Sequence, residues 1–174
     1  GKKSMMNTKG GKVSTGHEGH VGINATPSDA TSNQAKVQER IKVSSQFQQQ
    51  LNTVFLDYIN LKNALVEDNT EAAMEHSKSL LKNLAQVDMK LLKEQSTHSS
   101  WMSFEKELKT AAIAISKSMD LKEQRNHFKH LSTHLTKAVT MFGVNETVYQ
   151  QFCPMVANNK GAFWLSKEAQ ILNP

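Results

Sequence analysis

Four stretches of the chain repeat apolar residues at alternating steps of three and four. Between Phe47 and Leu65 every member of the series falls on one side of an α-helix, and three further stretches repeat the pattern after short polar breaks. A helix with one apolar side buries that side against other helices, and short loops make successive helices antiparallel. The sequence therefore predicts an all-α fold, an antiparallel up-down four-helix bundle.

Capping residues predict where these helices begin and end. Ser44 or Ser45 suits the N-cap of the first helix and Asn69 that of the second, while Asp120 opens a capping box with Glu123 for the fourth. The helices are expected from 44 or 45 to a break at 68–69, over 70–86, over 97–118, and from 120 to a glycine at 143. The residues expected to be buried together are Phe47, Leu51, Tyr58, Trp101, Phe104, Leu108, Phe128, Leu131 and Leu135.

The first 43 residues show no hydrophobic period and are predicted to be a disordered tail or linker. Six of the eight glycines lie there, with Pro27 and many serines, threonines and asparagines. Such a segment buries too little apolar surface to offset the entropy lost on ordering. The predicted boundaries are thus 1–43 for the tail and 44–174 for the bundle with its C-terminal segment.

Two histidines in this tail, His17 and His20, are candidate metal ligands. Imidazoles three residues apart on a flexible chain can chelate one ion. The alternative is that a polar linker carries both residues by chance.

The only cysteine of the chain lies in Cys153-Pro154-Met155. Because Pro154 disfavours a helical conformation for the residue before it, Cys153 should be extended. Side chains two apart on an extended segment point the same way, which would direct the thiol of Cys153 and the thioether of Met155 into one site. Sulfur ligands favour Cu(I)-like metals. In the competing interpretation, Cys153 is a small buried hydrophobe and Met155 fills a gap.

Aromatic residues lie on both sides of the Cys153-Pro154-Met155 segment in the sequence. Tyr149 and Phe152 precede the turn-forming stretch Asn158-Asn-Lys-Gly161, and Phe163 and Trp164 follow it. Two such runs separated by turn residues are typical of a β-hairpin. A short C-terminal hairpin or extended cap on the bundle is therefore predicted.

Composition argues against several functional classes. The net charge of +5 is spread through every segment rather than gathered in a basic, aromatic-rich patch, so no nucleic-acid partner is expected. No apolar run approaches the ~18 residues of a membrane span. One cysteine excludes an internal disulfide and a four-cysteine zinc site. No paired carboxylates or oriented nucleophile lie on the apolar stripes, so the chain is not expected to be an enzyme.

The run Val148-Tyr-Gln-Gln-Phe-Cys-Pro-Met-Val-Ala-Asn-Asn-Lys-Gly-Ala-Phe-Trp-Leu-Ser-Lys-Glu168, with Ile171-Leu-Asn-Pro174, resembles the signature of one domain family. That family forms the C-terminal domain of periplasmic adaptor proteins in copper/silver (CusB-type) efflux systems and also occurs as small stand-alone secreted bacterial proteins. Upstream pieces, such as His98-Ser-Ser-Trp101-Met102, are similar too. The resemblance covers roughly residues 44 to 174.

This resemblance implies a periplasmic accessory domain that binds Cu(I) or Ag(I) and captures the metal or passes it on. Its partners would be other parts of a heavy-metal efflux pump or a periplasmic metal chaperone, and it would reach a membrane only through a larger parent protein. A second interpretation stays open: a structural or docking module of an efflux adaptor, or a stand-alone secreted protein, without a metal.

Up-down topology suggests which residues could share a site. The third helix should start at the end of the bundle where the fourth helix finishes, so His98 is expected close to Cys153 and Met155. The tail with His17 and His20 leaves the first helix at that same end. The predicted metal ligands are therefore Cys153, Met155, His98, His17 and His20. The alternative is that the first three only pack beneath the two tryptophans.

Overall fold

The computed structural model describes residues 40–156 and 160–174, which form a four-helix bundle followed by a hairpin. The predicted all-α bundle with a short C-terminal hairpin is confirmed. Within the described residues, no helix is both long and apolar enough to cross a membrane. The elements are α1 (Ser45–Val66), α2 (Thr70–Leu84), a 3-10 turn (Met89–Leu91), α3 (Gln95–Lys117), α4 (Leu121–Phe142), β1 (Tyr149–Cys153) and β2 (Ala162–Ser166).

Side-chain caps set most of the helix starts. Ser44, Asn69 and Asp120 each accept a hydrogen bond from the backbone N–H three residues on, at 3.2, 2.9 and 2.7 Å. These are the predicted caps. The third helix begins two residues earlier than predicted, after Glu94, whose side chain makes no capping bond. Gly143 ends α4 with a φ of 75°, a conformation that L side chains rarely adopt.

The four helices enclose one hydrophobic core. Of the nine residues expected inside, eight are buried, and Phe104 packs partly exposed against them. Near one end of the bundle the rings of Phe47, Trp101 and Phe142 meet edge to face, with centroids 5.2 to 6.1 Å apart. The helical period alone therefore identified the core correctly.

A buried tyrosine hydroxyl fastens the hairpin to the bundle. Tyr58 on α1 is fully buried, and its hydroxyl shares a 2.7 Å hydrogen bond with the hydroxyl of Ser132 on α4. The same oxygen accepts the backbone N–H of Leu165 in β2 at 3.0 Å. Burial raises the pKa of Tyr58 well above its ordinary value, although both hydrogen bonds act against the rise. Tyr58 therefore stays neutral and joins two helices to one strand.

The hairpin lies lengthwise along α4, and its tip points toward the start of that helix. Lys167, just after β2, forms a 2.6 Å ion pair with Glu146, just after α4. At its other end, β2 begins with Ala162, which lines a cleft together with Asp120 and Leu121. Strand β2 therefore runs parallel to α4, and β1 runs back antiparallel to it.

Gln151 organises the hairpin from within. It is buried in β1 opposite Trp164, whose indole N–H donates to its side-chain carbonyl at 2.8 Å. The amide nitrogen of Gln151 donates to the backbone carbonyls of Glu168 and Gln170, at 2.9 and 2.7 Å. One side chain thus holds both strands and the segment that follows them.

Leu108→Ala is expected to lower the free energy of unfolding by ~2–5 kcal/mol, because Leu108 is fully buried in α3 and its loss leaves a cavity. Urea denaturation measures the change. Met102→Ala on the same helix is the control, since Met102 is half exposed and its truncation should have a far smaller effect. Equal effects of the two substitutions would contradict the packing described.

Tyr58→Phe is expected to cost ~1–3 kcal/mol, because it leaves the N–H of Leu165 and the hydroxyl of Ser132 without their shared partner. Amide hydrogen exchange should then speed up at Leu165 more than in the helical core. Tyr149→Phe, at the chain's other and more exposed tyrosine, should change neither quantity. Unaltered exchange at Leu165 in Tyr58→Phe would show that the hydroxyl does not fasten the hairpin.

Candidate functional site

Cys153 lies at the tip of the hairpin, where β1 ends. It pairs with Ala162, is partly buried against the core, and forms no disulfide. The extended conformation expected for it is confirmed. Pro154 and Met155 turn away from the strand, however, and the Met155 side chain is 78% exposed. The rule for side chains two apart on an extended segment therefore does not align the two sulfurs, and the expected geometry of that pair is corrected.

His98 lies at the opposite end of the bundle from Cys153. It sits in the first turn of α3, about 30 Å along the helix axis from the α3–α4 turn. The strand partner of Cys153, Ala162, lines a cleft with Asp120 and Leu121 at that turn. The expected convergence of His98 with Cys153 is therefore wrong.

The cause of this error is the path of the chain after α4. Up-down topology alone predicts that the segment beyond Gly143 stays at the end where α4 finishes. Instead, the five residues of β1 carry the chain back along the bundle by about 17 Å, at ~3.4 Å per residue. Cys153 is thereby moved away from the end that holds His98.

The two tail histidines, His17 and His20, lie outside the described residues. Within residues 40–156 and 160–174, no cluster of three or more His, Cys, Asp or Glu side chains could hold a metal ion. The described part of the chain thus brings Cys153 and Met155 to one turn.

Three histidines on α4, at 127, 130 and 134, flank the core without entering it. His130 is exposed, and His134 lies 3.9 Å from Glu107 on α3. Partial burial lowers the pKa of His134, while the Glu107 carboxylate acts in the opposite direction. Neutral imidazole is therefore favoured at His134, in line with a position on the edge of the helix interface.

An exposed aromatic pair adjoins Cys153. Phe152 and Phe163 face each other across the two strands with ring centroids 4.5 Å apart, and both are about half exposed. The Phe152 ring also covers Gly161, where an added Cβ would lie only 2.4 Å from it. With Met155, these rings give the hairpin tip an apolar, solvent-facing surface.

A cleft of about 720 Å³ lies between this hairpin and the first half of α4. Its helical wall carries Lys122, Arg125 and Lys129, and its strand wall carries Phe163 and Trp164. Sequence reasoning missed this cleft. The signal was the spacing of the three cations, which at steps of three and four must share one side of α4.

Lys62 is a buried charge beside the segment that follows the hairpin. Only 2% of this α1 residue is exposed. Burial lowers its pKa from the ordinary 10.5, and the nearby carboxylate of Glu168 partly offsets that effect. Because the fold disfavours the charged form, Lys62 reduces stability at neutral pH, and the reduction fades as the pH rises toward 10.5.

Lys62→Met is therefore expected to stabilise the protein by on the order of 1 kcal/mol at neutral pH. Glu168 is exposed, so its charge remains hydrated in the variant. The gain in Tm over the wild type should shrink as the pH rises toward 10.5, because the folded lysine then loses its proton while the unfolded lysine still keeps it. Lys78→Met, at an exposed lysine, is the control. A gain independent of pH would contradict the assignment.

A known protein family matches most of the bundle but not the hairpin. No curated protein matches the chain, and no solved structure does either. Residues 54–147, which run from within α1 to the loop after α4, match a family described as "Protein of unknown function (DUF3347)". Since these residues are more than half of the chain, the protein belongs to the DUF3347 family.

Proposed function

We propose that this protein is a periplasmic accessory domain of a cation efflux system that binds Cu(I) or Ag(I). The observation that carries the proposal is the hairpin tip, where the chain's only thiol, Cys153, stands two residues before the exposed thioether of Met155. Thiolate and thioether are the ligands that soft monovalent metals prefer.

The two sulfurs differ in mobility in a way that suits capture and release. Cys153 is held by strand pairing and by its contact with the core, so its position is fixed. Met155 lies in a turn and is largely exposed, so its flexible side chain can swing over a metal bound at the thiolate. A site with few ligands lets an incoming ligand bind before an outgoing one leaves.

His17 and His20 stay in the proposal as candidate metal ligands on the sequence alone. Two imidazoles three residues apart on one chain can chelate an ion, and soft metals accept imidazole as well as sulfur ligands. His98 is left out of the site, since it lies at the other end of the bundle.

The resemblance to the C-terminal domains of CusB-type adaptors supports the cellular setting. It favours the periplasm and, as partners, other parts of a heavy-metal efflux pump or a metal chaperone. The resemblance is strongest in the Cys-Pro-Met to Trp-Leu-Ser segment. That segment forms the hairpin, which lies outside the range matched to the DUF3347 family.

A docking module without a metal is the second candidate. The aromatic pair of Phe152 and Phe163 favours it, because half-exposed rings on a fixed hairpin are typical of residues that bury on a partner. Under this alternative Cys153 is a packing residue only.

Anaerobic Cu(I) titration against a chromophoric chelator separates the two candidates. Cys153→Ser is expected to lower Cu(I) affinity by orders of magnitude while the far-UV circular dichroism stays that of a helical bundle. Met155→Leu, which keeps the volume and removes the sulfur, should weaken binding less. A His17→Ala/His20→Ala double variant should weaken it as well.

His98→Ala is the matched control, since it removes an imidazole from the other end of the bundle and should leave Cu(I) affinity unchanged. If Cys153→Ser lowers the Tm and leaves Cu(I) uptake unchanged, the metal proposal fails and the docking module stands.

A further inference from the structure

The cleft between the hairpin and the start of α4 has the dimensions of a small-molecule site. Its volume of about 720 Å³ falls within the ~300–1,000 Å³ of typical ligand pockets. It is bounded by one regular helix and one hairpin that Tyr58 and Gln151 hold in place. Its walls are therefore formed before any ligand arrives.

The helical wall is basic. Lys122, Arg125 and Lys129 line it together, and the carboxylate of Asp120 is already engaged as the cap of α4. Within the described residues, neither lysine forms an ion pair. The helical wall thus carries two lysines that no ion pair within these parts of the chain neutralises.

Arg125 is fixed, and its Nε atom has an unused hydrogen bond. One guanidinium nitrogen, Nη2, donates to the Asp68 carboxylate at 2.6 Å and to the Leu65 carbonyl at 3.0 Å. The Nε atom is shielded from solvent and has no acceptor among residues 40–156 and 160–174. Because that atom is shielded, Arg125 contributes its positive charge to this wall rather than a free hydrogen-bond donor.

The facing wall is apolar and aromatic. Phe163 is half exposed, and Trp164 beside it is buried. A hydrophobic group placed here would cover Phe163 and displace water from it. The basic helical wall therefore favours an anionic group, and the apolar strand wall favours a hydrophobic group, on the same ligand.

We propose that this cleft binds a small organic anion that joins a carboxylate to an aromatic or aliphatic body. The carboxylate lies against Lys122 and Lys129, and the body packs on Phe163. This site needs no metal and uses none of the proposed metal ligands, so it stands independently of the function proposed above.

Titration of the isotopically labelled full chain by NMR tests the proposal with two matched probes. Phenylbutyrate carries the carboxylate, and phenylbutyramide has the same body without the charge. Phenylbutyrate is expected to shift the resonances of Leu121, Phe163 and the indole N–H of Trp164. The affinity for the amide should be lower by about tenfold or more, since the amide lacks charge-assisted hydrogen bonds.

Variants then assign each half of the ligand to its wall. Lys122→Gln/Lys129→Gln should weaken phenylbutyrate about tenfold or more and leave the amide unchanged. Phe163→Ala should weaken both probes. Lys109→Gln/Lys137→Gln removes two charges from exposed positions that do not line the cleft, and it should alter neither probe.

Two results would overturn the proposal. One is that phenylbutyrate leaves the resonances of the cleft unshifted, which would show that the walls do not recognise this class of ligand. The other is equal affinity for acid and amide that is insensitive to the lysine variants, which would show that the cleft recognises apolar groups alone. Copper titration plays no part in either result.

Discussion

The hydroxyl of Tyr58 is the contact on which the arrangement of this protein depends. It is fully buried, so it must find hydrogen-bond partners within the fold, and it takes one from α4 and one from the backbone of β2. A two-stranded hairpin is barely stable alone. Fastening its inner edge to the bundle turns the hairpin into a fixed arm along α4. Both proposed sites lie on that arm.

Gln151 in β1, the outer strand, makes the next set of hydrogen bonds that hold the hairpin together. Its amide satisfies the indole of Trp164 and two backbone carbonyls beyond β2, so the outer strand and the following segment are tied to the inner strand. Polar groups on the inside of the hairpin are thus paired, and the large apolar side chains Phe152 and Met155 are left facing solvent. Neighbouring exposed apolar side chains of this kind are common at interaction sites.

The four helices could be predicted from the sequence because each is specified by residues close together in the chain. Steps of three and four, and caps such as Asn69 and Asp120, specify each helix from neighbouring residues. The relation between Cys153 and His98 could not be predicted this way. It depends on which way the chain turns after Gly143, and that is decided by long-range contacts such as Tyr58 with Leu165 and Glu146 with Lys167. No pattern within the last thirty or so residues encodes those partners.

The same path explains why a thiol and a basic cleft are neighbours. Carrying β1 back along α4 takes Cys153 away from the end that holds His98 and sets the hairpin tip beside the first turns of α4. Those turns carry Lys122, Arg125 and Lys129, which repel a cation and attract an anion. The anion site proposed for the cleft thus rests on the basic side of α4, whereas the metal site proposed for the hairpin tip rests on the two sulfurs of Cys153 and Met155.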